Sequence, residues 1–145
     1  MIISPLVDKD AGKIAEFFAA NFSDGWTESM IESAFKTGRF YAFGAVCDEK
    51  LLGVITCSVT DDTMDVEDIV VKKDCRRKSV ASSLLSSVLI KMKKIGVKRV
   101  LLEVREGNTA AINLYKKFDF KVLSVRKKYY QDGENALVMI KEDIL

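Results

Sequence analysis

Histidine is absent from the 145-residue sequence, and this absence narrows the chemistry that the chain can perform. Nucleophilic sites of the Ser-His-Asp or Cys-His kind are excluded. A zinc site would have to be built from cysteines and carboxylates alone, and these do not cluster along the chain, so no metal is expected. Any proton transfer must therefore use Glu, Asp, Tyr, Cys, Lys or water.

Cysteine, proline and long apolar runs are also scarce. The three cysteines, Cys47, Cys57 and Cys75, form no C-x-x-C pair and indicate reduced cytosolic thiols instead of a disulfide framework. No run approaches the roughly 18 apolar residues of a membrane helix. The N-terminus lacks the basic region and apolar stretch of a signal peptide. These absences predict a cytoplasmic protein that has no membrane partner.

Excess charge of one sign is missing as well. The chain has 23 basic and 21 acidic residues, a net charge of +2, which gives no strong attraction to nucleic acid. Its composition, 48% hydrophobic and 30% charged, is typical of a soluble globular protein, and its length suits one domain.

The periodicity of apolar residues predicts an α/β fold. The clearest helix is Val80–Ile95, where apolar residues recur every three or four positions and Gly96 follows as a stop signal. The predicted order is strand, helix, helix, three strands, helix, strand, helix and two strands, which indicates one mixed sheet with helices on both faces. The segments are 2–7, 11–21, 27–36, 40–47, 51–60, 66–71, 80–95, 99–104, 109–117, 120–128 and 136–141. Strands 66–71 and 99–104 should be parallel, joined by a right-handed crossover.

A basic turn precedes the long helix, with the sequence Arg76-Arg77-Lys78-Ser79-Val80-Ala81. Helix N-termini offer unpaired N–H groups and bind phosphate where the side chains are small. Judged alone, this segment is better explained as a solvated turn in which Ser79 is an ordinary N-cap.

Two further side chains are candidates for proton transfer. Glu103 is the polar residue at the exit end of an apolar strand, where ligands of α/β sheets tend to lie, and could be a general base. Tyr115 could donate a proton, although its place in a helical apolar stripe also suits a packed core tyrosine. Asn108 is a candidate helix cap, and Thr27 is another at the start of the second helix. Each of these residues also has a structural explanation that requires no catalytic or binding role.

Taken together, these residues resemble the GNAT acetyltransferases, and within that superfamily most closely the bacterial ribosomal-protein-alanine N-acetyltransferases (the RimI type). The resemblance covers nearly the whole chain. It rests on the segments Gly25-Trp26-Thr27-Glu28, Ile69-Val70-Val71, the basic turn, Leu102-Glu103-Val104-Arg105, the run from Asn108 to Phe120, Arg126-Lys127-Lys128-Tyr129-Tyr130 and Glu134-Asn135-Ala136.

The resemblance implies a single GNAT acetyltransferase domain over residues 1–145 that uses acetyl-coenzyme A. The acetyl group would pass to the N-terminal α-amine of a protein, in particular an N-terminal alanine of a ribosomal protein. Glu103 would be the base and Tyr115 the acid. Acceptor residues would be Trp26, Tyr129 and Tyr130. Cofactor residues would be Ile69, Val70, Val71, Arg76, Arg77, Lys78, Ser79, Val80, Ala81 and Asn108.

The chain departs from the family pattern at two positions. Ser79 replaces the first glycine of the cofactor loop, where a Cβ would crowd the pyrophosphate or strain a backbone conformation that glycine takes freely. Asn135 stands where the family usually has aspartate, which bears on acceptor choice. Two alternatives therefore stay open, namely a GNAT enzyme that acetylates a small-molecule amine and a non-catalytic coenzyme A-binding module.

Overall fold

A seven-stranded mixed sheet lies at the centre of the computed structural model, which describes residues 1–22, 26–76 and 79–145. Its strands are β1 Ile2–Leu6, β2 Phe40–Cys47, β3 Lys50–Thr60, β4 Thr63–Val71, β5 Arg99–Arg105, β6 Lys121–Arg126 and β7 Ala136–Lys141. The helices are α1 Ala11–Asn21, α2 Glu28–Lys36, α3 Val80–Lys94 and α4 Thr109–Lys117. The predicted order of strands and helices is confirmed. Two short 3-10 turns, Asp8–Asp10 and Lys73–Cys75, were not predicted, because a single turn has no periodicity to detect.

The order of strands across the sheet is β1-β2-β3-β4-β5-β7-β6. The pair formed by β4 and β5 is parallel, as the crossover through α3 predicts, and every other pair is antiparallel. The last two strands exchange places, so that β7 lies beside β5 and β6 forms the edge. All six residues of β6 are exposed, which explains why the sequence could not place it, since no buried face fixes its position.

Apolar residues cover both faces of the sheet, which confirms helices on both sides. The larger core lies between the sheet and helices α3 and α4, and it includes Leu84, Leu85, Val88, Leu89, Ile112 and Tyr115. The smaller core lies under α1 and α2, and it includes Ile14, Phe17, Phe18 and Ile31. Strand residues alternate between the two cores, because successive side chains of a strand point to opposite faces.

Two helix starts are capped as the sequence predicts. The Thr27 hydroxyl accepts a hydrogen bond from the Met30 N–H at 3.2 Å, and the Asn108 amide oxygen accepts one from the Ala111 N–H at 3.2 Å. Each cap satisfies an N–H group that has no partner within its helix. The caps therefore fix where α2 and α4 begin.

Strands β4 and β5 pair over only four residues and then separate. Their register runs from Thr63 opposite Arg99 to Val66 opposite Leu102, although both strands continue for several residues beyond that point. A β-bulge occurs at the same level, because β3 pairs with Val66 and then with Asp68, which leaves Glu67 without a partner on β3. Bulges bend a strand and increase its twist. The bend at Glu67 accordingly directs the end of β4 away from β5 and opens the sheet.

Ser79 adopts a left-handed backbone conformation immediately before α3, with φ +65° and ψ +14°. Its side chain makes no capping hydrogen bond, so the interpretation of Ser79 as an ordinary N-cap is wrong. Its carbonyl oxygen still accepts from the Ser83 N–H at 3.0 Å and closes the first helical turn. The backbone strain that the sequence anticipated at this position is therefore present, because a Cβ disfavours the left-handed region.

Replacing Ser79 by glycine is expected to raise the free energy of unfolding by about 1 kcal/mol, because glycine occupies the left-handed region without steric cost. The measurement is urea denaturation of both proteins. Ser83→Gly is the matched control, since it makes the same chemical change inside α3 and should destabilise by roughly 0.5–1 kcal/mol. Equal destabilisation by both substitutions would show that Ser79 makes a contact that outweighs its strain.

Candidate functional site

A groove of about 710 Å³ follows the end of β4 where β5 has moved away. One wall is the strand segment Ile69–Val71, and the floor is the start of α3. The other wall is α4, which contributes Leu114 and Tyr115. Since β5 no longer pairs with this half of β4, main-chain groups of Ile69–Val71 can pair with an extended ligand, much as they would with another strand.

The floor of the groove consists of small residues at the start of α3. Ser79, Ala81 and Ser82 line it together with Val80. The first N–H groups of a helix have no partner within the helix, and the positive end of the helix dipole adds attraction for an anion. The predicted phosphate-binding residues Ser79, Val80 and Ala81 therefore share one surface. The predicted residues Arg77 and Lys78 lie outside the described residues.

Arg76 lines the same groove but is engaged by main-chain carbonyls. Its Nε donates to the Val71 oxygen at 3.3 Å, and its Nη2 donates to the Asn21 oxygen at 3.0 Å. The Asn21 side chain completes this link, because its Oδ1 accepts from the Lys73 N–H at 3.1 Å. Arg76 thus joins the ends of β4 and α1, so that it supports the wall of the groove as well as adding positive charge there.

Asn108 lies at the opposite wall, where it combines two roles. Its side chain caps α4 through the Ala111 N–H, and the residue also lines the groove. The functional and structural interpretations of Asn108 are therefore compatible, because capping uses the amide oxygen and leaves the amide N–H₂ group available as a donor.

Tyr115 is 8% exposed and packs against Phe120, with ring centroids 5.8 Å apart. It nevertheless lines the groove. Burial raises the pKa of Tyr115 to about 12, and the negative charge of Asp68 acts in the same direction, as would an ionised Tyr130. Tyr115 is therefore both a core residue and a phenol that keeps its proton throughout the neutral pH range.

Glu103 lies on β5 beyond the last residue that pairs with β4. Its side chain is 36% exposed, and one carboxylate oxygen is 3.5 Å from Nε of Arg126. It lines a depression of about 440 Å³ formed by Ser58, Asp65, Val66, Glu67, Leu101, Leu102, Glu103, Arg126 and Val138. Glu67 belongs to this depression and Ile69 to the groove. Successive segments of β4 therefore line the two cavities, the depression before and the groove after the point where β4 and β5 separate.

The depression is predominantly acidic. Burial raises the pKa of the Asp65 carboxyl group, and the nearby Glu103 carboxylate raises it further. Burial also raises the pKa of Glu67, with additional contributions from Asp68 and Asp65. The surface beside Glu103 is consequently suited to a cationic group, since the only arginine that lines the depression, Arg126, is already paired with Glu103.

The loop between β6 and β7 brings Tyr129 and Tyr130 to the same region. The two rings meet edge to face with centroids 5.2 Å apart, and the Arg126 guanidinium lies 5.3 Å from the centre of the Tyr129 ring. Burial raises the pKa of Tyr130, and the Glu103 carboxylate contributes to the rise, whereas Arg105 opposes it. Tyr130 therefore interacts electrostatically with both Glu103 and Tyr115.

Trp26, the third predicted acceptor residue, lies just before α2 and outside the β6–β7 loop. Its ring is 5.9 Å from the ring of Phe40, and it packs against the core under α1 and α2. The neighbouring residues 23–25, which include Gly25 of the family-like segment, lie outside the described residues. An acceptor role for Trp26 stays a prediction that its packing does not test.

The charged residues that support the β6–β7 loop were not identified from the sequence. Arg105, Asp132 and Glu134 form hydrogen bonds there, but 27 to 29 positions of sequence separate the partners. One feature of the sequence does point to Arg105. It follows Glu103 by two positions on a strand, so both side chains must lie on the same face. Within the described ranges, no cluster of three or more cysteines and carboxylates could hold a metal ion, and no helix is long and apolar enough to cross a membrane.

Comparison with known proteins agrees with this geometry. A ribosomal protein bS18-alanine N-acetyltransferase from Escherichia coli (strain K12) is 31% identical over 117 residues, which cover 79% of this chain and 78% of the relative. The crystal structure of the ribosomal-protein-S18-alanine N-acetyltransferase from Escherichia coli has a TM-score of 0.88 at 28% identity, covering 96% of this chain and 91% of that one.

A more distant structure shares the fold alone. Arabidopsis thaliana NAA60 in complex with acetyl-CoA has a TM-score of 0.83 at 17% identity, covering 97% of each chain. The model of the acetyltransferase (GNAT) family matches residues 12–120, which include the whole of the groove and Glu103. The chain therefore belongs to the GNAT family of acetyltransferases.

Proposed function

We propose that this acetyltransferase moves the acetyl group of acetyl-coenzyme A to the N-terminal α-amine of a protein, and that an N-terminal alanine of a ribosomal protein is its acceptor. The observation that carries the proposal is that successive segments of β4 line the acidic depression and the groove where β4 and β5 separate. Tyr115 lines the groove and Glu103 lines the depression. The relative that is 31% identical over most of the chain bears the name of this activity, which supports the choice of acceptor.

The residues of the groove fit the chemical parts of acetyl-coenzyme A. N–H groups at the start of α3 would bind the pyrophosphate, as other helix N-termini bind phosphate. The edge of β4 at Ile69–Val71 that β5 leaves open would pair with the amides of the pantetheine arm, and the Asn108 amide N–H₂ group would donate to the same arm. This binding mode directs the thioester toward the separation of the strands, between Tyr115 and Glu103.

Glu103 would accept the proton that the amine loses as it attacks the thioester carbon. The C–N bond forms, the C–S bond breaks, and the proton passes to the Glu103 carboxylate directly or through a water. A main-chain N–H of the β4 segment would stabilise the negative charge that develops on the thioester oxygen. The ion pair with Arg126 at 3.5 Å orients the Glu103 carboxylate toward the depression.

Tyr115 would donate a hydrogen bond to the departing sulfur. A phenol with a pKa of about 12 is a weaker acid than a thiol, whose pKa is about 8.5. Complete proton transfer to the thiolate is therefore unfavourable, and the contribution of Tyr115 is to stabilise the developing charge. A thiolate of this kind is also a fair leaving group by itself, so Tyr115 should accelerate the reaction without being strictly required.

An α-amine suits this site better than a lysine side chain. Its pKa is about 7.7 to 8.0, compared with about 10.4 for lysine. The neutral fraction at pH 7 is consequently several hundredfold larger for the α-amine. A single partly exposed carboxylate such as Glu103 then has little deprotonation to perform, whereas lysine would need a stronger base.

The test of the proposed function compares two peptides of one sequence. One has a free N-terminal alanine, and the other has a blocked N-terminus and an internal lysine. Mass spectrometry should show acetylation of the first peptide at a rate at least tenfold higher near neutral pH, because its amine is more often neutral. Equal or faster acetylation of lysine would overturn the assignment. A polyamine that outcompetes both peptides would replace it with a small-molecule acceptor.

Replacing Glu103 by glutamine should reduce kcat/KM by about 10²- to 10⁴-fold near neutral pH, the usual contribution of a general base. The deficit should shrink as the pH rises through the α-amine pKa, because the amine then loses its proton unaided. The measurement is a pH profile of initial rates from pH 6.5 to about 9.5. Glu142→Gln removes an exposed carboxylate away from the site and serves as the control. A deficit that does not change with pH would exclude the role of base.

Replacing Tyr115 by phenylalanine should lower kcat about a hundredfold or less, since the leaving group is reactive and acid catalysis contributes about 10²-fold at its low end. The dissociation constant of acetyl-coenzyme A, measured by calorimetry, should change little. Tyr41→Phe is a matched control on β2, outside the groove. An unaltered kcat would leave Tyr115 with its core role alone.

A further inference from the structure

The β6–β7 loop, residues 127–135, has no regular secondary structure and yet carries both tyrosines of the candidate acceptor site. Within the loop, the Glu134 carbonyl oxygen accepts from the N–H groups of Tyr129 and Tyr130, each at 3.2 Å, and the Gly133 N–H donates to the Tyr130 oxygen at 2.9 Å. These bonds set the local shape of the loop. They do not fix where the loop sits relative to Glu103, so another contact must do so.

The Glu106 N–H donates to the Asn135 oxygen at 3.0 Å, and the Glu106 carboxylate accepts from the Asn135 amide at 3.2 Å. Arg105 supplies further contacts. Its Nη1 donates to Oδ2 of Asp132 at 2.9 Å and to Oε1 of Glu134 at 2.9 Å. The second carboxylate oxygen of Glu134 accepts from the Gly107 N–H at 2.9 Å. The loop is therefore tied to the end of β5 and to the turn before α4 by three short, charge-assisted hydrogen bonds.

The same guanidinium group also supports a ring. Its central carbon lies 4.0 Å from the centroid of Tyr130, a distance typical of an arginine stacked on an aromatic face. Arg105 follows Glu103 by two positions on β5, so both side chains project from one face of the strand. Arg105 therefore positions the Tyr130 ring relative to β5, the strand that carries Glu103.

The stability that this network provides is expected to be small. The Arg105 side chain is 39% exposed, and exposed ion pairs of this kind contribute little to stability because water screens the charges. Positioning is more sensitive, because a displacement of about 1 Å at a reacting centre can cost up to a hundredfold in rate. The network is therefore better suited to controlling acceptor binding than to holding the fold together.

We propose that Arg105 is a positioning residue for the acceptor, which acts by clamping the β6–β7 loop through Asp132 and Glu134 and by supporting the ring of Tyr130 beside Glu103. The inference rests on the proposed function, since it concerns the acceptor of that same site. Arg105 itself does not touch the reacting atoms.

The test combines steady-state kinetics with hydrogen exchange of the loop. Arg105→Ala should raise the KM for the acceptor peptide about tenfold, lower kcat less, and leave the dissociation constant of acetyl-coenzyme A within about twofold, because the groove is on the other side of the strand separation. Exchange at residues 127–135 should become faster. Arg105→Lys keeps the charge and both carboxylate contacts within reach but not the planar stack, so it should restore part of the loss.

The matched control is Arg99→Ala at the other end of β5. Arg99 donates to Asp62 at 3.0 Å and is 45% exposed, so its removal deletes a comparable surface ion pair far from Glu103. It should change neither the acceptor KM nor the exchange of the loop. A second variant, Glu134→Gln, should act like Arg105→Ala and keeps the test valid should Arg105→Ala fold poorly.

Three results would overturn the proposal. The first is an acceptor KM in Arg105→Ala that equals that of Arg99→Ala, and the second is loop exchange that is unchanged from the wild type. The third is a parallel loss of kcat, cofactor affinity and thermal stability, which would show a general structural role. Failure of the proposed function would look different, because the wild type would then acetylate no peptide although exchange of the loop still responded to Arg105→Ala.

Discussion

The separation of β4 and β5 after four paired residues is the constraint on which the rest of the site depends. A continuous parallel pair would satisfy the main-chain groups of both strands and leave no room between them. The bulge at Glu67 ends that pairing, and the freed edge of Ile69–Val71 becomes available to a ligand. Both core layers remain intact on either side of the opening, since α3 and α1 cover the two faces of the sheet. The fold thus obtains a groove through its centre without losing its hydrophobic core.

The two side chains proposed for catalysis lie on different elements, and their positions follow from the same opening. Tyr115 approaches from α4, where burial among apolar residues keeps its phenol protonated, and Glu103 approaches from β5, where solvent and Arg126 are within reach. Different environments for two titratable groups are a common way to separate an acid from a base within one site.

Local patterns in the sequence predicted most of the fold and the residues that line the groove. The apolar period of α3, the caps at Thr27 and Asn108, and the strain at Ser79 each depend on near neighbours, and each is present. The exchange of β6 and β7 was not predictable in this way, because β6 buries neither face. The clamp formed by Arg105 and Glu134 was missed for a similar reason, since 29 residues separate the partners and only the folded chain brings them together.

Different interactions hold the start of α3 and the β6–β7 loop in place. At Ser79 the left-handed backbone lets α3 begin with its N–H groups directed at the groove, and the cost of about 1 kcal/mol is offset by the apolar face that α3 buries. The loop has no such core to hold it, and Tyr129 is 47% exposed. Polar contacts must therefore order the loop, and charged side chains are the groups that can do so at an exposed position. Because water weakens such contacts, the loop should adapt more readily than the start of α3, which the buried face of that helix holds in place.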